Sequence, residues 1–288
     1  MSGSTKNLCI ETPHHITALF RPVLGPTAAT SGSIGAGIAV EPPARLCLGR
    51  GPPEGGSIGY EPPPHLSEAS RRTGARLESA RYVFPLPPGR GYAVSAAASI
   101  LGAMAAAALK GIPVNKALRT AHEIEVEKRT GLGDVAAITC GIGVVFRLTP
   151  GPPGEARVEC VPLDPRLVVI VGEAGAMTTR ELIAAYGPGE WLEASRSMER
   201  IVRDPSPHRF FEEAMKFTEA RRLDEKMLGV KLKDILPKEG IVAFYVKKRL
   251  AVVVAEEDTV RVIVDALETA GLQPRILFPS KSPPRYTS

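Results

Sequence analysis

A long uncharged segment, residues 93–109, constrains the fold of this chain more than any other feature. Its 17 residues are mostly alanine, the strongest helix former, and Gly111 and Pro113 provide a stop signal after it. A helix that crosses a bilayer needs about 20 strongly apolar residues, so the segment predicts a helix buried inside a soluble protein. A chain of 288 residues is long enough to build a core around such a helix without disulfides or a metal.

The segments on either side of this helix predict an α+β protein with two lobes. Short apolar runs separated by turn residues indicate strands, and helical periodicity dominates after residue 178. The predicted strands are Leu8–Ile10, Arg45–Leu48, Arg81–Phe84, Gly141–Leu148, Arg157–Val161, Leu167–Val171, Ile241–Val246, Leu250–Ala255 and Pro274–Phe278. The other predicted helices are Val114–Lys128, Thr179–Tyr186, Leu192–Val202, His208–Arg222, Glu225–Leu236 and one capped by Asp258 that runs to Thr269, and the tail Ser280–Ser288 is predicted to be loose.

The charge and cysteine patterns limit the classes of function. Lys and Arg number 36 against 31 Asp and Glu, which gives a formal charge of +5. The basic residues are scattered and aromatic residues for base stacking are few, so we do not expect a nucleic-acid partner. The four cysteines form no CxxC pair, which argues against a zinc or redox motif. The N-terminus shows no charged-then-apolar signal, so we expect a cytoplasmic protein with no membrane partner.

A glycine-rich loop opens the alanine-rich helix. Pro87–Gly91 reads PPGRG and is followed by Tyr-Ala-Val-Ser, with Ser95 at the first helical turn. Glycines let backbone N–H groups approach an anion, and a helix N-terminus adds free N–H groups and a positive dipole end, so a phosphate is a natural ligand. Ser95 could contact Mg²⁺ or a phosphate oxygen, or it could only cap the helix. Neither GxxxxGK[ST] nor GxGxxG occurs in the chain.

A second glycine-rich segment, Thr30–Gly37, reads TSGSIGAG. It could be a mobile loop, or a substrate-facing loop rich in N–H donors. The sequence alone favours neither alternative.

An acidic group follows the second helix. The turn Thr-Gly-Leu-Gly-Asp ends at Asp134, and the preceding helix carries Glu123, Glu125 and Glu127. A phosphoryl-transfer enzyme needs one carboxylate near the attacking hydroxyl and another for Mg²⁺, which Asp134 and one glutamate could supply. A solvated helix face followed by an ordinary turn is the alternative.

Three histidines and one arginine near these motifs have two interpretations each. His122 could bind substrate or be structural, and the neighbours His14 and His15 share that ambiguity. Arg147 could hold a carboxylate through two hydrogen bonds, or it could be surface charge.

Together these segments resemble the GHMP small-molecule kinases, in which Pro-x-x-x-Gly-Leu-Gly-Ser-Ser-Ala-Ala opens a helix. Here residues 87–97 read PPGRGYAVSAA, with Ala93 in place of a usual glycine and Val94 in place of a usual serine. Within that family the blocks PHHIT, SGSIGAGI and AHEIEVEKRTGLGDV are similar to those of the archaeal members that act on pantoate. A convincing copy of the family's third glycine-rich motif is missing from the C-terminal half.

The resemblance implies a GHMP fold, with a ribosomal-protein-S5-like N-terminal lobe over residues 1–160 and an α+β C-terminal lobe over residues 161–288. It implies ATP-dependent phosphorylation of the 4-hydroxyl of pantoate in coenzyme A biosynthesis, with ATP and Mg²⁺, and a homodimer. Matching positions imply that Asp134 and Glu125 are catalytic and that Glu125 and Ser95 bind the metal, with Glu123 as the rival ligand. The nucleotide contacts implied are Pro87, Gly89, Gly91, Ala93, Ser95 and Ala96, and the substrate contacts implied are Ser33, His122 and Arg147.

Two other functions stay open at this point. The chain could be a GHMP-type kinase for homoserine, mevalonate, shikimate or another small acceptor, because Ala93 and Val94 depart from the motif. It could also be a non-enzymatic nucleotide- or nucleic-acid-binding protein, because its charge is mildly basic.

Overall fold

The chain folds as antiparallel strands covered by helices, which confirms the predicted α+β class. The computed structural model describes residues 8–49, 59–77 and 80–287, and these residues form ten strands and ten α-helices. The strands are β1 (Leu8–Val23), β2 (Gly32–Leu48), β3 (Arg81–Val83), β4 (Val144–Arg147), β5 (Val158–Val161), β6 (Leu167–Glu173), β7 (Ile241–Lys247), β8 (Leu250–Glu256), β9 (Gln273–Pro279) and β10 (Arg285–Thr287). The helices are α1 (His65–Arg72), α2 (Val94–Lys110), α3 (Val114–Lys128), α4 (Asp134–Cys140), α5 (Thr179–Ala185), α6 (Pro188–Arg203), α7 (Pro207–Arg221), α8 (Leu223–Leu228), α9 (Leu232–Ile235) and α10 (Val260–Thr269).

Strand β2 organises the sheet. It pairs with β1 along nearly its whole length and with β3, β4 and β9 at different positions, always antiparallel. The main path of the sheet is β10–β1–β2–β9–β6–β8–β7, and β5 joins through β4. The last strands of the chain therefore pair with the first ones. The expected division at residues 160 and 161 falls inside β5, and it stays a prediction.

Helix α2 is the alanine-rich segment, and it is buried as predicted. Every residue from Ala96 to Ala107 is buried, and the helix packs against α1, α3 and β1. Small side chains allow this close packing. At Gly102 a Cβ atom would lie only 3.0 Å from the carbonyl carbon of Leu66 in α1, so the two helices touch through their backbones. Among the described residues, no helix has the length and apolarity to cross a membrane.

Three sequence-based predictions about the chain path are wrong. The segment Thr30–Gly37 is not a loop, because Gly32 begins β2 and the strand pairs with β1 from that residue onward. The tail is not loose, because β10 pairs with β1 and Arg285 donates a 2.8 Å hydrogen bond to the carboxylate of Glu11. The predicted helix Glu225–Leu236 is two short helices, which are separated at Gly229 by a left-handed backbone (φ 76°).

The four cysteines, which are far apart in the sequence, form two disulfides. Cys9 faces Cys47 across β1 and β2, and Cys140 at the end of α4 joins Cys160 in β5. The length of the chain indicated only that a core could form without disulfides. No sequence pattern predicted that folding would bring these cysteines together.

The backbone contact at Gly102 predicts an unusual response to alanine. Alanine favours a helix over glycine by about 1 kcal/mol, but here its methyl group would press on the α1 backbone. We expect Gly102→Ala to lower the free energy of unfolding by about 1–3 kcal/mol, as overpacked cores do. Denaturant unfolding followed by circular dichroism measures the change.

Ser99→Ala is the matched control for this substitution. Ser99 is buried in the same helix, and its hydroxyl has no hydrogen-bond partner among the described residues. Its replacement should leave the stability unchanged or raise it. A Gly102→Ala protein that is more stable than the wild type would contradict the backbone contact.

Candidate active site

One cavity of about 440 Å³ collects most of the chemically active side chains. It is bounded by the glycine-rich loop before α2, the turn that leads into α4, and the β7–β8 turn. Strands β1, β2 and β4 also contribute residues to its lining. The polar and charged side chains that line it are Thr17, Ser33, His65, Ser95, Lys128, Arg129, Thr130, Asp134, Arg147, Thr178, Thr179, Arg180, Lys247 and Lys248.

Asp134 is held in the cavity by one of its two oxygens. Its Oδ1 accepts hydrogen bonds from His15 Nδ1 at 2.9 Å and Thr17 Oγ1 at 3.1 Å. Among the described residues no hydrogen bond reaches Oδ2. Burial by itself would raise the pKa of Asp134, but its hydrogen bond to His15 and the nearby charges of Arg147 and Lys247 keep that pKa below its usual value. Asp134 is therefore an ionised carboxylate with one free oxygen.

His15 positions this carboxylate. The ring is fully buried, and burial lowers its pKa, so the neutral imidazole donates its Nδ1 proton to Asp134. Gly37 on β2 makes room for the ring, because a Cβ atom there would lie 2.6 Å from His15 Nε2. The closely spaced glycines of β2 thus provide space for side chains of the site.

Glu125 contacts Ser95, which separates it from the cavity. The Ser95 hydroxyl donates a 2.7 Å hydrogen bond to Glu125 Oε1, while Oε2 is buried and has no partner among the described residues. Burial, and then the charge of Asp134, raise the pKa of Glu125. Gly131 leaves the space beside Oε2 open, because a Cβ atom at that residue would lie 2.5 Å from it. A buried carboxylate oxygen without a donor is suited to a cation.

Three cationic side chains surround the two carboxylates. Arg147 at the end of β4 is buried, its Nε has no partner, and its only hydrogen bond among the described residues is a long one of 3.5 Å to Thr17. Lys247 and Lys248 come from the β7–β8 turn. Burial lowers the pKa of all three groups. The cavity therefore presents positive charge that is poorly compensated by the protein, which suits anionic ligands.

The glycine-rich loop has the conformation that its glycines allow. Gly89 and Gly91 have φ angles of 77° and 106°, a region that L-residues rarely adopt. Ala93, where the related motif has glycine, is also left-handed at φ 54°. Tyr92 anchors the loop, because its buried hydroxyl donates a 2.6 Å hydrogen bond to Glu173 at the end of β6. The N-terminus of α2 faces the cavity, because Ala93, Val94 and Ser95 line it.

The structure brings together most of the residues that the sequence indicated. Ser33, Gly89, Gly91, Ala93, Ser95, Asp134 and Arg147 line the cavity. Pro87 and Ala96 do not line it, although they flank residues that do. Glu125 reaches the site through Ser95, whereas its rival Glu123 neither lines the cavity nor bonds to a residue that does.

His122 has a different position from the one expected of a substrate contact. It is buried in α3, outside the cavity lining, and its Nε2 lies 2.9 Å from the carbonyl oxygen of Ser31. Burial lowers its pKa. In this position the ring ties α3 to the segment just before β2, which carries Ser33.

The sequence-based reasoning missed several residues of the site. His15 was ambiguous because no sequence pattern shows that β1 passes beneath Asp134, 119 positions later in the chain. Lys247 and Lys248 fall between the predicted strands Ile241–Val246 and Leu250–Ala255, and no function was predicted for them. His65, whose Nε2 lies 3.0 Å from Thr130 Oγ1, belongs to helix α1, which was not predicted. The pair of adjacent lysines between two predicted strands is the only sequence signal that could have indicated any of these residues.

Comparison with protein families agrees with this geometry. The family model described as "GHMP kinases N terminal domain" matches residues 65–142, a range that contains α2, α3 and Asp134.

Curated relatives extend the likeness beyond that region. The chain is 30% identical over 189 residues to a pantoate kinase of Methanospirillum hungatei, covering 60% of this chain and 64% of that protein. It is 27% identical over 229 residues to a pantoate kinase of Thermococcus kodakarensis, covering 72% and 73% of the two chains. The match thus spans slightly less than two thirds of the first relative's length and more than two thirds of the second's.

Solved structures share the fold across the whole chain. One described as "Phosphotransferase related to CoA biosynthesis pathway" has a TM-score of 0.79 at 21% identity, covering 98% of this chain and 99% of that chain. A putative homoserine kinase from Listeria monocytogenes has a TM-score of 0.64 at 17% identity, with the same coverage. These likenesses confirm the GHMP kinase fold, and the N-terminal family model and the curated pantoate kinases are similar to this chain over the parts given above.

Proposed function

We propose that this chain transfers the γ-phosphoryl group of ATP to the 4-hydroxyl of pantoate, giving 4-phosphopantoate and ADP for coenzyme A biosynthesis. The observation that carries the proposal is the Asp134 carboxylate, which is fixed through Oδ1 and free at Oδ2 beside the cation Arg147. The pantoate kinases among the curated relatives support the acceptor. The proposal includes a cytoplasmic homodimer that needs no nucleic acid.

The donor nucleotide fits the side of the cavity formed by the glycine-rich loop. The triphosphate accepts hydrogen bonds from the free N–H groups at the start of α2, where the helix dipole also favours negative charge. In the transfer, the bond between the γ-phosphorus and the bridging oxygen of ADP breaks. A bond from phosphorus to the acceptor oxygen forms.

The acceptor fits the opposite side, near β1, β2 and β4. Its hydroxyl donates a hydrogen bond to the free Oδ2 of Asp134, which takes the proton as the new bond forms. Its carboxylate pairs with the guanidinium of Arg147, which can hold two oxygens at once, and Ser33 lies close enough to add a hydroxyl. Pantoate carries the hydroxyl and the carboxylate that these groups require.

The residues near Glu125 fit Mg²⁺. Among the described residues, no group of three or more His, Cys, Asp or Glu side chains is arranged as a metal site. Kinase Mg²⁺ is usually held by one or two protein oxygens together with the nucleotide phosphates. The unpartnered Glu125 Oε2 and the Ser95 hydroxyl would hold it here. When bound, the ion neutralises charge that develops on the phosphates.

The buried Glu125 predicts a pH-dependent cost to stability. Its folded-state pKa is raised above 4.5, so above that pH the folded protein without ligands either holds an extra proton or buries an uncompensated charge. Glu125→Gln should therefore raise the melting temperature of the ligand-free protein, slightly near about pH 5 and more near about pH 8. Glu123→Gln in the same helix is the control and should change little. A Glu125→Gln advantage that does not grow with pH would contradict the raised pKa.

Asp134→Asn tests the proton acceptor. The amide keeps the shape of the side chain but cannot take the proton, so we expect turnover to fall by about 100-fold or more. Binding of Mg-ATP, measured by calorimetry, should be largely retained, because the glycine-rich loop is unchanged. An unchanged kcat would remove Asp134 from the mechanism.

A panel of acceptors tests the substrate. Purified protein with Mg-ATP should release ADP with pantoate, and far more slowly with homoserine, mevalonate or shikimate. Mass spectrometry of the product should show one added phosphoryl group at the 4-hydroxyl. Turnover of another acceptor in preference to pantoate would replace the proposed substrate and keep the kinase.

A further inference from the structure

The β7–β8 turn places two lysines in the cavity from the C-terminal half of the chain. Lys247 ends β7 and Lys248 begins the turn, and both line the cavity opposite the glycine-rich loop. Gly91 of that loop lies against the turn, because a Cβ atom there would be 3.5 Å from Lys247 Cγ. The turn and the loop therefore face the same space.

Neither lysine has an anionic partner among the residues that the structure describes. Lys248 is only 9% exposed and Lys247 is half-buried, yet none of the ion pairs among residues 8–49, 59–77 and 80–287 includes either of them. Buried lysines are almost always paired. Burial lowers the pKa of Lys247 to about 7, with Asp134 opposing the shift and the charges of Lys248 and Arg147 adding to it. An anion bound in the cavity would provide the missing partner.

The backbone of the turn also indicates that Lys248 has a role beyond forming the turn. Its φ angle is 57°, a left-handed conformation that tight hairpin turns normally give to glycine. An L-residue in that conformation costs about 1 kcal/mol or more, and such strain is concentrated at functional sites. Glycine would remove the strain but also the ammonium group.

The surroundings of the two lysines differ. The Lys247 ammonium lies 4.7 Å from the centre of the Phe20 ring, and its charged neighbours besides Lys248 are Asp134 and Arg147. These residues form the acceptor side of the cavity. The nearby charges that act on the pKa of Lys248 are the carboxylates of Asp134, Glu125 and Glu181. Glu125 belongs to the nucleotide side, and Glu181 in the first turn of α5 accepts a hydrogen bond from Thr178, which also lines the cavity.

We propose that the two turn lysines divide the anions of the reaction between them, with Lys248 binding the transferring phosphoryl group and Lys247 joining Arg147 at the acceptor carboxylate. This inference rests on the proposed kinase function. No bond forms to either lysine. Lys248 compensates the charge that develops on the equatorial phosphate oxygens, and Lys247 fixes the acceptor so that its hydroxyl points to Asp134.

Three methionine variants test this division, because methionine keeps much of the length of the side chain and removes its charge. Lys248→Met should lower kcat by about 100-fold, as the loss of one preorganised donor does. Lys247→Met should raise KM for the acceptor by roughly tenfold or more and change KM for ATP little. Arg249→Met is the matched control, because Arg249 is exposed on the same turn and does not line the cavity. It should stay within about twofold of the wild type.

Lys→Arg variants separate charge from shape. Lys248→Arg should recover a substantial part of the kcat that Lys248→Met loses, and Lys247→Arg should recover acceptor KM. Equal damage from the arginine and methionine variants would show a purely structural role and overturn the proposal. So would the opposite assignment of the two effects, or methionine variants that behave like Arg249→Met.

The wild-type acceptor panel keeps this test independent of the substrate. If the wild type prefers an acceptor other than pantoate, the proposed substrate fails, and the lysine variants are measured with that acceptor. If Lys248→Met keeps the wild-type kcat with whichever acceptor is used, the role of Lys248 fails and the proposed function stands.

Discussion

The structure depends on holding two carboxylates close together, the partly buried Asp134 and the fully buried Glu125. Removing a carboxylate from water costs several kcal/mol unless hydrogen bonds and opposite charges replace the water. Asp134 receives that compensation from His15, Thr17 and nearby cations, so it stays ionised. Glu125 receives less, one of its oxygens has no partner, and its pKa rises. In the proposed mechanism the first carboxylate acts as the base and the second accepts a cation.

This compensation requires distant parts of the chain to meet. His15 and Thr17 belong to the first strand, Arg147 to the middle of the chain, and the turn lysines to its last fifth. The antiparallel sheet brings these segments together, because β2 pairs with β1, β4 and β9, and β9 leads through β6 and β8 to β7. Helices α2 and α3 then carry Ser95 and Glu125 to the same place. The same strand pairings therefore define the fold and bring the residues of the site together.

Several glycines have a role that sequence patterns describe poorly. Gly37 makes room for His15, Gly131 for the Glu125 carboxylate, and Gly133 lies against Ser33 and Arg147. The closely spaced glycines of TSGSIGAG suggested a loop, but all three belong to strand β2, and Gly35 and Gly37 lie against the side chains of Arg147 and His15. In the glycine-rich loop, by contrast, Gly89 and Gly91 do need the left-handed backbone that glycine adopts readily.

The sequence by itself determined the α+β class, most element positions and the glycine-rich loop before α2, and it indicated Asp134 and, through the family resemblance, Glu125 as candidate site residues. These features depend on local periodicity, helix propensity and motif spacing, which are properties of short segments. Only the tertiary structure decided that His15 holds Asp134, that His122 lies outside the cavity, and that Lys247 and Lys248 enter it. Those outcomes depend on which side chains the sheet brings within a few ångströms of a buried charge, and contacts between residues more than 100 positions apart leave no local trace in a single sequence.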